Sequence, residues 1–223
     1  RVGPVPEILG PQRFQIGQTE VLLYYGKPSP YSISQEIYID LLPVEDYLTE
    51  GIWQIVLSAG KIVTGQYEMW LPSDNILNRG TGFLFPKDST TLTIPSSASR
   101  AISVGAYDAR TFAYADFSGR GFTRLTNMVK PDLVAPGVEV MTTTVGGGYA
   151  AFTGTSFATP FVTGSAALLM EWGIVRGNDP YLYGEKVKAY LRRGAKKVPG
   201  FDEYPNEAVG YGRLCLESSL PSV

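Results

Sequence analysis

FTGTSFATPF, residues 152–161, places a serine in a tight Gly-Thr-Ser turn directly before an apolar segment. From Phe157 to Trp172 the chain is an unbroken run of small and apolar residues, which predicts a helix buried on every side rather than along one stripe. Pro160 is compatible with this helix because it falls in the first turn, where its missing N–H would have no partner. The stretch therefore predicts a strand, a turn and a buried helix, with Ser156 at the helix start.

Two interpretations of Ser156 follow from this position. Free N–H groups and the positive end of the helix dipole favour a nucleophile whose substrate develops an oxyanion there, and Gly154 allows a substrate backbone to approach closely. The alternative is that Ser156 caps the helix, as serines often do, and position alone favours this second interpretation. A nucleophilic serine also needs a base, and the 223-residue chain contains no histidine.

The segments around this helix indicate mixed strands and helices. The runs 101–108 and 129–137 are compact, apolar and extended in character. After the helix-start signal Asn178-Asp179-Pro180, the amphipathic sequence GEKVKAYLRRGAKK predicts a helix that Gly194 closes. Residues 96–223 are therefore predicted to form an α/β or α+β domain.

The first part of the chain, residues 1–95, reads as β structure. Short segments rich in β-branched and aromatic residues alternate with turn residues, at 19–26, 36–42, 52–63 and 66–72. This spacing predicts an antiparallel β-sandwich or a jelly roll. Trp53 and Trp70 could line a carbohydrate groove, although such residues more often fill a sandwich core.

Composition limits the possible functions. A net charge of −2 gives no field that would attract nucleic acid. The only cysteine, Cys215, excludes an internal disulfide, and without histidine a structural zinc site is not expected; no metal or other cofactor is predicted. The sequence contains no apolar run of about 18 residues, so no membrane span is predicted. A short basic cluster is attributed to a helix C-terminus, which favours positive charge: Arg192, Arg193, Lys196 and Lys197.

Other candidate sites are weaker. Asp108 and Asp132 lie near predicted strand ends, where acidic residues are usually solvated or form turns. Gly146, Gly147 and Gly148 do not form a phosphate-binding loop, because no Gly-Lys-Ser/Thr pattern follows them. A pair of glycosidase carboxylates stays open as an alternative, since their separation in space is not written in the sequence.

The motif GTSFATPFVTGSAALL resembles the serine-nucleophile signature of the subtilisin-like serine proteases. Other segments resemble further parts of that family in the same order: AISVGAYD, ADFSGRG, KPDLVAPGVEV, VKAYLRRGAKKV and VGYGRL. The resemblance covers about residues 96–223 and implies the C-terminal half of a three-layer α/β catalytic domain. It implies that Ser156 is the nucleophile of an endopeptidase, and that the backbone of Gly154, Thr155 and Ser156 faces the substrate oxyanion.

Residues 1–95 resemble the jelly-roll insertion of the clostridial spore-germination protease subgroup. In that subgroup the catalytic aspartate and histidine and the oxyanion asparagine precede the insertion. The resemblance implies that this chain begins inside or just before it, and no Asp-Ser/Thr-Gly, His-Gly-Thr or Ala-Gly-Asn segment occurs in the sequence. The chain is therefore expected to be inactive alone. The implied partners are a protein or peptide substrate, for example a pro-enzyme, and the rest of the same protein or another copy; the implied location is secreted or spore-associated.

Two departures from the family pattern bear on structure. Phe161 stands where the family commonly has a histidine that is not the catalytic base, so the change affects packing. About half of a subtilisin domain is missing, which predicts uncovered apolar faces in residues 96–223. Two other hypotheses stay open: a pseudoprotease or binding module with a scaffold role, and a jelly-roll lectin or glycosidase.

Overall fold

The computed structural model describes residues 1–30, 34–58, 60–72 and 76–221. The chain divides into two compact units, Arg1–Trp70 and Leu71–Val223. The assignment of residues 1–95 to one insertion and of 96–223 to the catalytic part stays a prediction, and each compact unit is described by itself.

The first unit contains one antiparallel sheet of three strands in the order β1-β2-β3. The strands are β1 (Gly10–Ile16), β2 (Thr19–Gly26) and β3 (Glu36–Pro43). Ile16 pairs with Thr19, so β1 and β2 form a tight hairpin, in which Gly17 takes a φ of 57° that favours glycine. Thr49 ties the following segment to this hairpin, because its N–H donates to Thr19 Oγ1 over 2.7 Å.

The predicted jelly roll is not confirmed. The predicted strands at 19–26 and 36–42 form, but the described residues of 52–63 and 66–72 contain no strand; Ala59 lies outside the described residues. Their apolar side chains are largely exposed, including Ile52 at 83% and Val63 at 89%. Apolar alternation forms a strand only where a neighbouring strand satisfies the backbone N–H and C=O groups. The described part of this unit offers three paired strands, whereas a jelly roll needs about eight.

The second unit mixes strands and helices, as predicted. Parallel strands β4 (Val104–Tyr107) and β5 (Leu133–Pro136) form one small sheet, and the antiparallel strands β6 (Val140–Thr143) and β7 (Tyr149–Phe152) form another. The helices are α1 (Thr155–Met170), α2 (Gly184–Gly194) and α3 (Leu216–Ser219), and a π-helical turn (Glu171–Val175) continues α1. As predicted, α2 ends at Gly194, where an added Cβ would strike the backbone of Ser219.

The core of the second unit lies between α1 and the β4–β5 sheet. Four residues of α1 form a buried stripe at helical spacing: Ala158, Val162, Ser165 and Leu169. The apolar members of the stripe belong to the same core as Ala106, Leu133 and Ala135 of the two strands. The prediction of a helix buried on every side is wrong for this chain, because Phe161 and Leu168 are 43% and 54% exposed. The two short strands and α2, whose Val187 and Leu191 belong to the same core, leave part of the helix uncovered.

The helical stretch Thr155–Val175 is long and apolar enough to cross a membrane by length and composition, with a mean hydropathy of 1.2. A core helix of a soluble protein has the same properties, and this one packs its buried stripe on the β4–β5 sheet. The expectation that the chain has no membrane span therefore stays a prediction.

Candidate active site

The site is built on the turn between β7 and α1. Strand β7 ends at Phe152, and Gly154 is the N-cap of α1 with a φ of 152°, a backbone conformation that residues with a side chain rarely adopt. Thr155 and Ser156 are the first two residues of the helix, and no side chain caps it. The capping interpretation of Ser156 is therefore wrong.

Ser156 is exposed on the first turn of α1. Within the described parts of the chain, no side chain is hydrogen-bonded to its hydroxyl. The first N–H groups of a helix, here those of Thr155 and Ser156, have no acceptor four residues back, so they face outward with the positive end of the helix dipole. The Phe157 N–H is not among them, because it donates to the Gly154 carbonyl over 3.1 Å. A free hydroxyl thus lies beside N–H groups that can stabilise negative charge.

Gly137 links this turn to the parallel sheet. The Gly154 N–H donates to the Gly137 carbonyl over 2.8 Å, and the Gly137 N–H donates to the Tyr107 carbonyl of β4 over 3.0 Å. A Cβ at Gly137 would lie 2.6 Å from the Ala106 Cβ and 3.1 Å from the Gly154 carbonyl oxygen. The helix start is therefore held against the sheet at a distance that only glycine allows.

We expect Gly137→Ala to lower the free energy of unfolding by about 1–3 kcal/mol, because the added methyl overpacks the contact between β4 and the α1 start. The matched control is Gly164→Ala within α1, where nothing lies within 4 Å of the added Cβ. That control should raise the free energy of unfolding by up to about 1 kcal/mol through helix propensity. Urea denaturation of both variants measures the contrast, and equal effects would contradict the proposed role of Gly137.

An open cleft of about 240 Å³ lies beside Ser156. One wall belongs to α1 and the other to the segment that leads into β4. The residues around it are Pro95, Ser96, Ala101, Ile102, Ser103, Val104, Thr155, Ser156 and Thr159. The cleft is therefore a place where a small group next to the Ser156 hydroxyl could be held.

Aromatic side chains lie on the other side of the turn. The Phe152 and Phe157 rings stack with centroids 5.3 Å apart and an interplanar angle of 17°. A second open cleft of about 290 Å³ lies next to Phe157, between α1 and β6. Phe161 also lines this second cleft. The side of the turn that carries Phe152, Phe157 and Phe161 is therefore apolar.

The acidic candidates do not reach Ser156. Asp108 pairs with the Arg110 guanidinium over 3.0 Å, and the hydrogen bond from Arg110 lowers the pKa of the Asp108 carboxyl. Asp132 points into the protein interior with no exposed surface. Among the described residues, no three His, Cys, Asp or Glu side chains come together as a metal site would require.

Asp132 is the centre of an ionic cluster that the sequence did not reveal. Its carboxylate accepts hydrogen bonds from the Ser103 N–H over 2.6 Å, from Lys130 Nζ over 2.9 Å and from Arg192 Nε over 2.9 Å. Lys188 Nζ lies 3.3 Å from the same carboxylate. The expectation that Asp132 is solvated is therefore wrong, and Arg192 serves this cluster as well as the end of α2.

The cluster shifts the pKa values of two of its members. Burial opposes ionisation of Asp132, but the hydrogen bonds from Lys130 and Ser103 and the charges of Lys130 and Arg192 outweigh it, so the pKa of Asp132 is lowered. Burial lowers the pKa of Lys188; the Asp132 carboxylate opposes this shift, while the positive charges of Lys130 and Arg192 add to it, so the pKa of Lys188 is lowered. The cluster thus stabilises the ionised form of Asp132 and destabilises the charged form of Lys188.

Comparison with known proteins identifies sequence and structural relatives of this region. The sequence profile of the subtilase family matches residues 51–212. Serine protease AprX of Bacillus subtilis (strain 168) is 34% identical over 154 residues, which cover 60% of this chain and 33% of that protein. Alkaline elastase YaB of Bacillus sp. (strain YaB) is 44% identical over 104 residues, which cover 47% of this chain and 24% of the relative.

A solved structure resembles nearly the whole chain. The CspB protease of Clostridium perfringens is 37% identical and superposes with a TM-score of 0.77, covering 96% of this chain and 44% of the protease chain. This match extends over most of residues 1–95 as well as the region around Ser156. The chain spans a third of AprX and less than half of the CspB protease.

Proposed function

Because this chain belongs to the subtilase family, we propose that Ser156 is the nucleophile of a serine endopeptidase. Its Oγ attacks the scissile carbonyl carbon and forms an acyl-enzyme, while the proton of the hydroxyl passes to a base and then to the leaving amine. Water then hydrolyses the ester and regenerates Ser156. The observation that supports this proposal is the exposed hydroxyl on the first turn of α1, for which the described residues provide no hydrogen-bond partner.

The backbone around Gly154, Thr155 and Ser156 is proposed to stabilise the oxyanion of the tetrahedral intermediate. Gly154 has no side chain, so a substrate backbone can approach the turn. The N–H groups at the start of α1 point outward and carry the positive end of the helix dipole. Such pre-oriented donors stabilise charge only as it develops, which is what lowers the barrier.

The base is proposed to come from polypeptide outside this chain. The sequence contains no histidine, and the chain spans 33% of AprX and 44% of the CspB protease. In the complete active site, a histidine from that polypeptide would take the Ser156 proton and an aspartate would orient the histidine. An asparagine from the same polypeptide would complete the oxyanion hole.

The proposed division of the active site between this chain and other polypeptide can be tested directly. The 223-residue chain alone should neither cleave a fluorogenic peptide nor react rapidly with a serine-directed phosphonate, because without a base the hydroxyl keeps its proton. The full-length protein should do both. Rapid labelling of Ser156 in the isolated chain would contradict the absence of a base. Failure of the full-length protein to label would favour the alternative function, a pseudoprotease or binding module with a scaffold role.

Three finer features of the function are also proposals. Residues 1–95 form, with polypeptide outside this chain, a jelly-roll insertion; the support is the 96% coverage in the match to the CspB protease and the exposed apolar residues Ile52 and Val63, which need strand partners. The substrate is a protein or peptide, in particular a pro-enzyme cleaved during spore germination. The protein is secreted or spore-associated. Processing of a purified candidate pro-enzyme by the full-length protein tests the substrate.

A further inference from the structure

The ionic cluster around Asp132 also binds the chain segment that leads into β4. Lys130 Nζ donates to the Ala101 carbonyl over 2.6 Å. Lys188 Nζ donates to the same carbonyl over 2.9 Å and to the Ser99 carbonyl over 2.6 Å. The carboxylate of Asp132 accepts from the Ser103 N–H, and the Ser103 carbonyl accepts from the Asp132 N–H over 2.8 Å. The cluster therefore holds the backbone of residues 99–103 at three positions, Ser99, Ala101 and Ser103.

The bound segment is also the wall of the cleft beside Ser156. Ala101 and Ser103 line that cleft, and so does Ile102 between them. The Ser103 hydroxyl in turn donates to the carbonyl of Ser96, a further residue of the cleft. A path of hydrogen bonds thus runs from the Lys188 ammonium group, through the backbone, to the surface that faces Ser156.

The cluster contains more cationic side chains than its one carboxylate can neutralise. In the described residues it brings three cationic side chains, Lys130, Lys188 and Arg192, to one carboxylate. Lys130 and Asp132 have no exposed surface and Lys188 is 4% exposed. A buried ion pair is often no more stable than apolar residues of the same volume. Two of the cations, Lys130 and Lys188, donate hydrogen bonds to the cleft wall.

We propose that Lys188, with Lys130 and Asp132, is a positioning residue that fixes the 99–103 wall of the cleft beside Ser156 and thereby sets which substrate residue fits there. This inference rests on the proposed peptidase function and adds to it a determinant of selectivity remote from the reacting atoms. Ammonium groups restrain the wall because each charge-assisted hydrogen bond is stronger than a neutral one. Loss of that restraint changes the width of the cleft, and a displacement of about 1 Å can change rates by about a hundredfold.

The test uses the full-length protein and Lys188→Met, which keeps the length and volume of the side chain but removes its donors. The matched control is Lys186→Met on the same helix α2, because Lys186 is 38% exposed and pairs with Asp179 outside the cluster. The substrates are two peptide series, one varied only at the residue on the acyl side of the scissile bond and one only on the amine side. The ratio of kcat/KM between an alanine and a phenylalanine substrate is measured in each series, with phosphonate labelling of Ser156 as a second readout.

Lys188→Met should change that ratio by about tenfold in one series, while labelling by a small phosphonate that leaves the cleft empty changes less than about threefold. Lys186→Met should change neither the kcat/KM ratio in either series nor the phosphonate labelling. If Lys188→Met lowers the urea midpoint but leaves both ratios within about twofold, the cluster is structural only and the inference is overturned.

Ser103→Ala serves as the second variant. It removes only the hydroxyl that donates to the Ser96 carbonyl, so it decides the question if Lys188→Met does not fold. A change of the ratio in one of the two series supports the inference, and ratios unchanged in both series overturn it. A wild-type protein that neither cleaves nor labels refutes the proposed peptidase function first, and the positioning role with it. A wild-type protein that does both, with unchanged ratios in the variants, refutes the positioning role alone.

Discussion

Ser156→Ala is expected to lower kcat of the full-length protein by about 10⁶-fold, the size of the loss that removal of the catalytic serine causes in subtilisin. The substitution removes the oxygen that would form the acyl-enzyme, so no partial activity of the same mechanism survives. Labelling by a serine-directed phosphonate should disappear completely. The midpoint of urea unfolding should stay unchanged, because Ser156 is exposed and caps no helix.

Thr163→Ala is the matched control for this experiment. Thr163 lies on the same helix, is exposed, and carries a hydroxyl that donates to the Thr159 carbonyl one turn earlier. This variant should keep wild-type kcat and labelling. Substantial cleavage by Ser156→Ala would show that another residue is the nucleophile, and equal loss in both variants would point to a general effect on α1.

The part of the fold that could be predicted is the part that local sequence controls. The Gly-Thr-Ser turn and the apolar run after it predicted α1, and Gly154 provides the backbone conformation that the turn needs. Gly194 ends α2 where expected. The exposed position of Ser156 follows from the same local geometry, since the turn fixes its place on the first turn of the helix.

The parts that could not be predicted depend on partners distant in sequence. The alternating segments at 52–63 and 66–72 predicted strands, but a strand needs another strand to satisfy its backbone groups, and sequence pattern does not contain that partner. The same limit explains α1, whose apolar surface includes the exposed Phe161 and Leu168. An apolar run shows that a face can be buried, and its neighbours decide whether it is.

The ionic cluster is the clearest example of this limit. Asp132 and Arg192 are 60 positions apart, and neither position indicates the other in a single sequence. The helix dipole explains a positively charged side chain such as Arg192 in the last turn by a purely local effect. The guanidinium of Arg192 in fact reaches a carboxylate at the start of β5 and lies over the Tyr211 ring at 4.7 Å. The position of Ser156 on the first turn of α1 was therefore predictable, whereas the contacts of the residues proposed to shape the cleft beside it were not.

Asp132→Asn is expected to lower the free energy of unfolding by about 3–5 kcal/mol, the usual loss when one partner of a buried ion pair is removed. An asparagine keeps the shape of the side chain but leaves Lys130, Lys188 and Arg192 facing one another without a negative charge. Asp108→Asn is the matched control, because this carboxylate pairs with Arg110 at the surface, where such pairs contribute little. Urea denaturation of the full-length protein compares the two variants.

The pH dependence of the free energy of unfolding tests the same role of Asp132. Because the folded protein lowers the pKa of Asp132 below its ordinary 3.8, the folded state holds that proton less tightly than the unfolded state does. The stabilisation is present above the ordinary pKa and is lost as the pH falls through the lowered value. Wild type should therefore lose stability more steeply below about pH 4 than Asp132→Asn, which has no proton to take up at this position. Parallel pH profiles for the two proteins, or a loss for Asp132→Asn no larger than that for Asp108→Asn, would show that the carboxylate does not hold the cluster together.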